Sequence, residues 1–97
     1  MQTRTLKIYK LSIPNHDVIY IGSTIEKSLN IRLSKHKYDS IYKQSNLYKF
    51  VSIFGWDAVS IHLIDSMPYI DKKDKLYLES HYINTLKPLL NQRLPII

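Results

Sequence analysis

Two runs of β-branched and aromatic residues lie almost end to end near the start of the chain, TLKIYKLSI at 5–13 and VIYIGST at 18–24. Only Pro14-Asn15-His16-Asp17 separates them. Such a pair, broken by a short turn-forming stretch, folds as a β-hairpin. With 14–17 as the loop, Ile13 pairs with Val18, Leu11 faces Tyr20 and Tyr9 faces Gly22. Side chains alternate with period 2, so Tyr9, Leu11, Tyr20 and Gly22 share one sheet face. Tyr9 and Tyr20 become diagonal neighbours, roughly 7–8 Å apart at Cα. Gly22 has no side chain beside the two phenols, which leaves room there for a ligand to approach.

The remaining elements follow from periodicity and punctuation. Ser23 or Thr24, followed by Glu26, is a helix start. Leu29, Leu33, His36 and Ile41 then predict one helix, or two short ones, to about Tyr42. Asn46 reads as the N-cap of a further helix carrying Leu47, Phe50, Val51 and Phe54, with Gly55 as its stop. Residues 58–65, AVSIHLID, alternate as a third strand ended by Pro68. Asp71 opens a helix to about Leu86, with acidic residues at its start, Lys87 at its end and Pro88 beyond. The tail 89–97 is apolar enough to pack on the domain. The order β-β-α-α-β-α predicts an α+β (α/β) fold: a small three-stranded, mainly antiparallel sheet flanked by helices.

Composition narrows the chemistry. At 97 residues the chain forms one domain, 1–97. The absence of Cys excludes a disulfide scaffold, thiolate metal sites and Cys nucleophiles. No apolar run approaches the ~20 residues of a membrane span. The polar start Met1-Gln2-Thr3-Arg4-Thr5 is unlike a signal peptide, so the expectation is a protein inside the cell, away from membranes. Fourteen Lys and Arg against eight Asp and Glu give a net charge of +6, which favours a polyanionic partner. Eight tyrosines stand out in so short a chain.

Helical geometry then asks which polar side chains are turned inward. On the helix at 71–86, Leu76, Tyr82, Ile83 and Leu86 all fall within about 60° of Glu79. A carboxylate in the middle of such an arc is costly unless it is paired, metal-bound or at the mouth of a cleft. Arg32 and His36 lie one turn apart beside Leu29, either as core-edge packing or as a phosphate clamp. Two phenols, an Arg, a His and a Glu facing one small interior suit phosphodiester hydrolysis. A lone carboxylate holds one divalent ion whose remaining ligands are water. A phenol of lowered pKa can take the proton of an attacking water, and Arg stabilises charge on the non-bridging oxygens.

Lys7-Ile8-Tyr9, Tyr20-Ile21-Gly22-Ser23-Thr24, Arg32-x3-His36, Glu79 with Tyr82-Ile83, and Asn91 together resemble the GIY-YIG nuclease family in order and spacing. The resemblance covers about residues 6–93 and is nearest to the catalytic domain of phage intron-encoded homing endonucleases and small stand-alone members. It implies a DNA endonuclease with a single Mg²⁺ or Mn²⁺ that leaves a 5′-phosphate and a 3′-hydroxyl. By match of motif, Tyr9 and Tyr20 are the paired tyrosines, with Tyr9 favoured as general base. Arg32 binds the scissile phosphate, Glu79 holds the metal, Asn91 braces the site, His36 assists near the phosphate or leaving group, and Gly22 allows close backbone approach.

The pattern departs from the family in places. Lys7 stands where the first motif usually has Gly. A further His that some homing members carry between the helices is missing, leaving its role vacant or filled by Tyr42 or Gln44. The 97 residues include no counterpart of the long DNA-binding extension of the homing enzymes, so the expectation is a domain that binds with its own basic residues, or a fragment of a longer protein whose further part supplies targeting. Lys27, Lys35, Lys37, Lys43 and Lys49 are then the expected phosphate contacts, which give salt-sensitive binding with weak sequence specificity. One site per chain implies nicking, with a dimer or targeting partner needed for double-strand cleavage. The rival readings are a structure-specific repair or recombination nuclease and a catalytically inactive nucleic-acid-binding module of the same fold.

Overall fold

The computed structural model describes residues 4–69 and 71–91. The expectation for the tail after Asn91 lies outside these residues. The element order is β1 (Thr5–Ile13), β2 (His16–Thr24), α1 (Leu29–Tyr42), α2 (Asn46–Phe54), a single 3₁₀ turn (Trp56–Ala58), β3 (Ser60–Pro68) and α3 (Lys72–Leu86). The three strands form one antiparallel sheet in the order β2-β1-β3. The fold is α+β, and no helix among the described residues is long and apolar enough to cross a membrane.

β1 and β2 pair as the alternation predicts at the positions that matter, Tyr9 with Gly22 and Leu11 with Tyr20. The turn is tighter than the expected four residues. The register shifts between Leu11 and Ile13, so that Ile13 pairs with His16 rather than Val18. Pro14 and Asn15 alone make the bend, and Asn15 takes the left-handed backbone (φ 74°) that its short polar side chain tolerates.

Helix starts also differ from the expectation. Ser23 and Thr24 remain in β2 and open no helix. Ser28 caps α1, its Oγ accepting from the Ile31 amide at 3.3 Å. Residues 29–42 are one helix, not two. Ser45, not Asn46, caps α2, accepting from the Tyr48 amide at 3.1 Å. Gly55 ends it with φ 85°, as a residue without Cβ can. The third strand runs 60–68 rather than 58–65. At Asp71 the expectation holds: its carboxylate accepts from the Lys73 and Asp74 amides and caps α3.

The sheet separates two apolar clusters. On one face Tyr9, Leu11, Leu47, Val51 and Val59 pack with Leu29 and Leu33, which seats α1 and α2. On the other Leu6, Ile8, Ile21 and Ile83 pack with Leu78 and Tyr82, which seats α3. Leu76 and Leu86 are each 39% exposed, so the apolar arc drawn around Glu79 is only half used. Beyond α3 the chain runs along the outer edge of β2. Leu90 donates its amide to the Ile19 carbonyl at 2.8 Å, and the Asn91 side chain then takes over the pairing.

Candidate active site

Because β2 is an edge strand, groups from both sheet faces and from the chain after α3 converge beside it. They enclose an open cleft of about 450 Å³ whose walls include Tyr20, Arg32, His36, Tyr48, Glu79 and Asn91. Five of the six residues predicted as catalytic therefore line one cavity. The sixth, Tyr9, lies directly behind it and is 0% exposed.

Tyr9 is held by two partners. Arg32 Nε donates to its oxygen at 3.1 Å, and His36 Nε2 lies 2.6 Å from the same oxygen. The pairing of Arg32 and His36 on one helical face is thus realised, and both reach the sheet tyrosine. Burial pushes the Tyr9 phenol far above its ordinary pKa, against the lowering effect of Arg32. Tyr20 is also raised, by burial first and by the Glu79 charge second. Burial opposes the charge on Arg32, yet the neighbouring Tyr9, Tyr20 and Tyr48 phenols together hold the guanidinium above its ordinary value. His36 is pushed down to about 4 by burial and then by Arg32, so its ring is neutral near pH 7.

Gly22 serves a different purpose from the one its sequence context suggests. A Cβ built there would lie 2.4 Å from the Tyr9 oxygen, 2.6 Å from Tyr9 Cζ and 3.0 Å from Tyr20 Cε2. The space left by the missing side chain is filled by the Tyr9 phenol, not left open for a ligand. Gly22 itself is buried.

Among the described residues Glu79 makes no ion pair with a lysine. Ser23 Oγ, from the strand motif, donates to Glu79 Oε2, which orients the carboxylate at the cleft wall. Asn91 is fixed by two bonds to one residue: its Oδ1 accepts from the Ile21 amide at 2.9 Å, and its Nδ2 donates to the Ile21 carbonyl at 3.0 Å.

Two residues in the site escaped the sequence reading. Tyr48, to which the sequence reading assigned no role, places its hydroxyl 3.0 Å from His36 Nδ1. Trp56 stacks on that ring, with centroids 6.3 Å apart. Ser45 caps α2 and so sets the phase that aims Tyr48 inward; a cap before an apolar helix was the available signal. Tyr42 and Gln44, the candidates for the missing second His, are exposed, and the side-chain bonds of His36 among the described residues go to Tyr9 and Tyr48. All five candidate lysines are exposed. Lys43 alone among them lines the cleft, with Asp39 3.8 Å away. Lys35 is paired with Glu26.

No family model matches the chain, and neither does any curated protein or solved structure.

Among the described residues no group of three or more His, Asp or Glu could cage a metal ion. Two carboxylates line the cleft: Glu79, oriented by Ser23 beside open solvent, and Asp39, which lies 3.8 Å from the Lys43 ammonium. Glu79 so placed suits Mg²⁺ or Mn²⁺ held largely by water, since such ions retain several waters and need few protein ligands.

Proposed function

We propose that the chain is a metal-dependent DNA endonuclease of the GIY-YIG type, nicking a phosphodiester to a 5′-phosphate and a 3′-hydroxyl. The observation that carries this reading is the convergence of Tyr20, Arg32, His36, Glu79 and Asn91 on one cleft from separate elements of the fold. The family resemblance nominated these residues without reference to that cavity.

The geometry supports a role for each residue. Arg32 is anchored through Nε on Tyr9, and its η nitrogens, which bond to none of the described residues, supply a planar pair of donors for phosphate oxygens. Tyr20, half-buried on the cleft wall, is the phenol that meets a water in the cleft. Tyr9, favoured as the base on sequence grounds, has its oxygen enclosed by Arg32 and His36 and serves to hold both. Glu79, oriented by Ser23, would hold Mg²⁺ or Mn²⁺. When bound, that ion supplies charge stabilisation at the phosphate and leaving oxygens and lowers the pKa of acids close to it. Asn91 ties the chain after α3 to β2 and closes one end of the cleft. With one site and little basic surface at its mouth, the domain would nick duplex with weak sequence preference, and a second copy or targeting partner would be needed to cut both strands.

The test is nicking of supercoiled plasmid in Mg²⁺ or Mn²⁺, with Glu79→Gln and Arg32→Ala alongside. Each variant should lose at least about 100-fold, the scale of losing one preorganised charge-stabilising group. Activity that survives Glu79→Gln removes the single-metal reading. A wild-type protein inert in both metals, on linear and branched DNA alike, supports an inactive binding module instead.

A further inference from the structure

The hydrogen bonds behind the cleft have a forced direction. A guanidinium can only donate, so the Tyr9 oxygen is the acceptor in its contact with Arg32 Nε. Tyr9 has one proton to give and is 0% exposed. Among the described residues its other hydrogen-bond partner is His36 Nε2, at 2.6 Å. The Tyr9 proton therefore goes to Nε2. A neutral imidazole that accepts at Nε2 carries its own proton on Nδ1. That proton points at Tyr48 Oη, 3.0 Å away. The Tyr48 oxygen is thus the acceptor, and its own proton is left over at the end of the chain. Tyr48 is half-buried on the cleft wall, beside Arg32 and Lys43.

Resting on the reading of this cleft as a phosphodiester site, we propose that Tyr48 is a substrate-binding residue whose hydroxyl donates to a phosphate oxygen next to the one held by Arg32. Arg32, Tyr9 and His36 act behind it as a directional relay that fixes which way its proton points. Burial, and the nearby Asp39 second, raise the Tyr48 phenol, so it stays a donor at neutral pH.

The order of donors is readable without any substrate. Nitrogen-15 NMR of the wild-type His36 ring should find Nδ1 protonated and Nε2 bare. The opposite tautomer overturns the proposal, because His36 would then take the Tyr48 proton. Binding is read separately, by fluorescence anisotropy of a short DNA duplex in EDTA, where no metal-dependent cutting occurs. Tyr48→Phe keeps the ring against His36 and Trp56 and should weaken binding about 5- to 10-fold, the scale of one lost hydrogen bond. Tyr77→Phe, an exposed tyrosine on α3, should bind as wild type does. Unchanged binding by Tyr48→Phe overturns the proposal, as does a wild type that binds neither DNA nor phosphate. Should Tyr48→Phe not fold, titration of the wild type with inorganic phosphate decides: the Tyr48 ring resonances should move, and their constancy overturns the proposal. A wild type that never nicks plasmid but shows the Tyr48-dependent binding sinks the nuclease reading and leaves this inference standing.

Discussion

Replacing Gly22 by Ala adds a single methyl group, and the structure sets the sign of its effect. In an ordinary strand the change would stabilise by roughly 0.5–1 kcal/mol, because Gly loses more freedom on folding than Ala does. Here the new Cβ would fall 2.4 Å from the Tyr9 oxygen and 2.6 Å from Cζ, inside contact distance of a ring that is 0% exposed. Tyr9 cannot yield at little cost, since its oxygen bonds to Arg32 at 3.1 Å and to His36 at 2.6 Å. Overpacking of this kind costs about 1–3 kcal/mol. A displaced phenol would also forfeit its bond to the charged Arg32, worth about 1.5–3 kcal/mol. Set against the entropic gain, a net loss of about 2–5 kcal/mol follows. For a domain of this size that lowers the thermal midpoint by roughly 10–25 °C. Thermal unfolding followed by circular dichroism measures it, and urea unfolding checks that the loss is one of stability. If Gly22→Ala is as stable as wild type or more so, the close packing of Tyr9 over Gly22 is refuted, whatever the protein does.

Three further outcomes are expected. His36 has a folded-state pKa of about 4 against an ordinary 6.5. The unfolded chain therefore binds the extra proton between those values, and stability present above pH 6.5 is lost as pH falls to about 4, by about 3 kcal/mol. Urea unfolding across that window should show the slope in wild type and a shallower one in His36→Gln; equal slopes would refute it. Asn91→Ala removes two hydrogen bonds to Ile21 and should cost about 1–2 kcal/mol; an unchanged unfolding midpoint contradicts the bracing role. Ser23→Ala frees the Glu79 carboxylate and should raise the Mn²⁺ concentration needed for half-maximal nicking severalfold, whereas an unaltered metal dependence would show that Ser23 does not orient it.

The hairpin register was legible because a period of 2 leaves little freedom once one face must be buried. Tyr9 opposite Gly22 and Leu11 opposite Tyr20 came from a loop placed at 14–17, and they hold because the register shift between Leu11 and Ile13 offsets the tighter turn. Helical phase likewise put Arg32 and His36 together and turned Glu79 toward the interior side of α3. The cap at Asp71 could be read because a single acceptor precedes that helix, while the serines and threonines between 23 and 28 offered several starts. Which one wins depends on how far β2 extends along β1, and that is tertiary information. The turn at Pro14-Asn15 was misjudged because Asn15 adopts a backbone that composition does not announce. Tyr48 was missed for a similar reason. Its partner lies 12 residues away on another helix, and no local period relates them. The role of Gly22 was inverted: an empty position reads as room for a ligand until the neighbour that fills it is known.

Asn91 has one more consequence. The outer edge of β2 would otherwise present free amides and carbonyls to any other extended chain, the usual nucleus of sheet-to-sheet aggregation. The backbone of Leu90 bonds to Ile19, and the Asn91 carboxamide, with one donor and one acceptor, answers Ile21 as a peptide group would. A side chain thus completes a strand that the backbone only begins. The same two bonds that wall the cleft also blunt an adhesive edge, so loss of Asn91 should be felt in solubility during refolding as well as in the cleft.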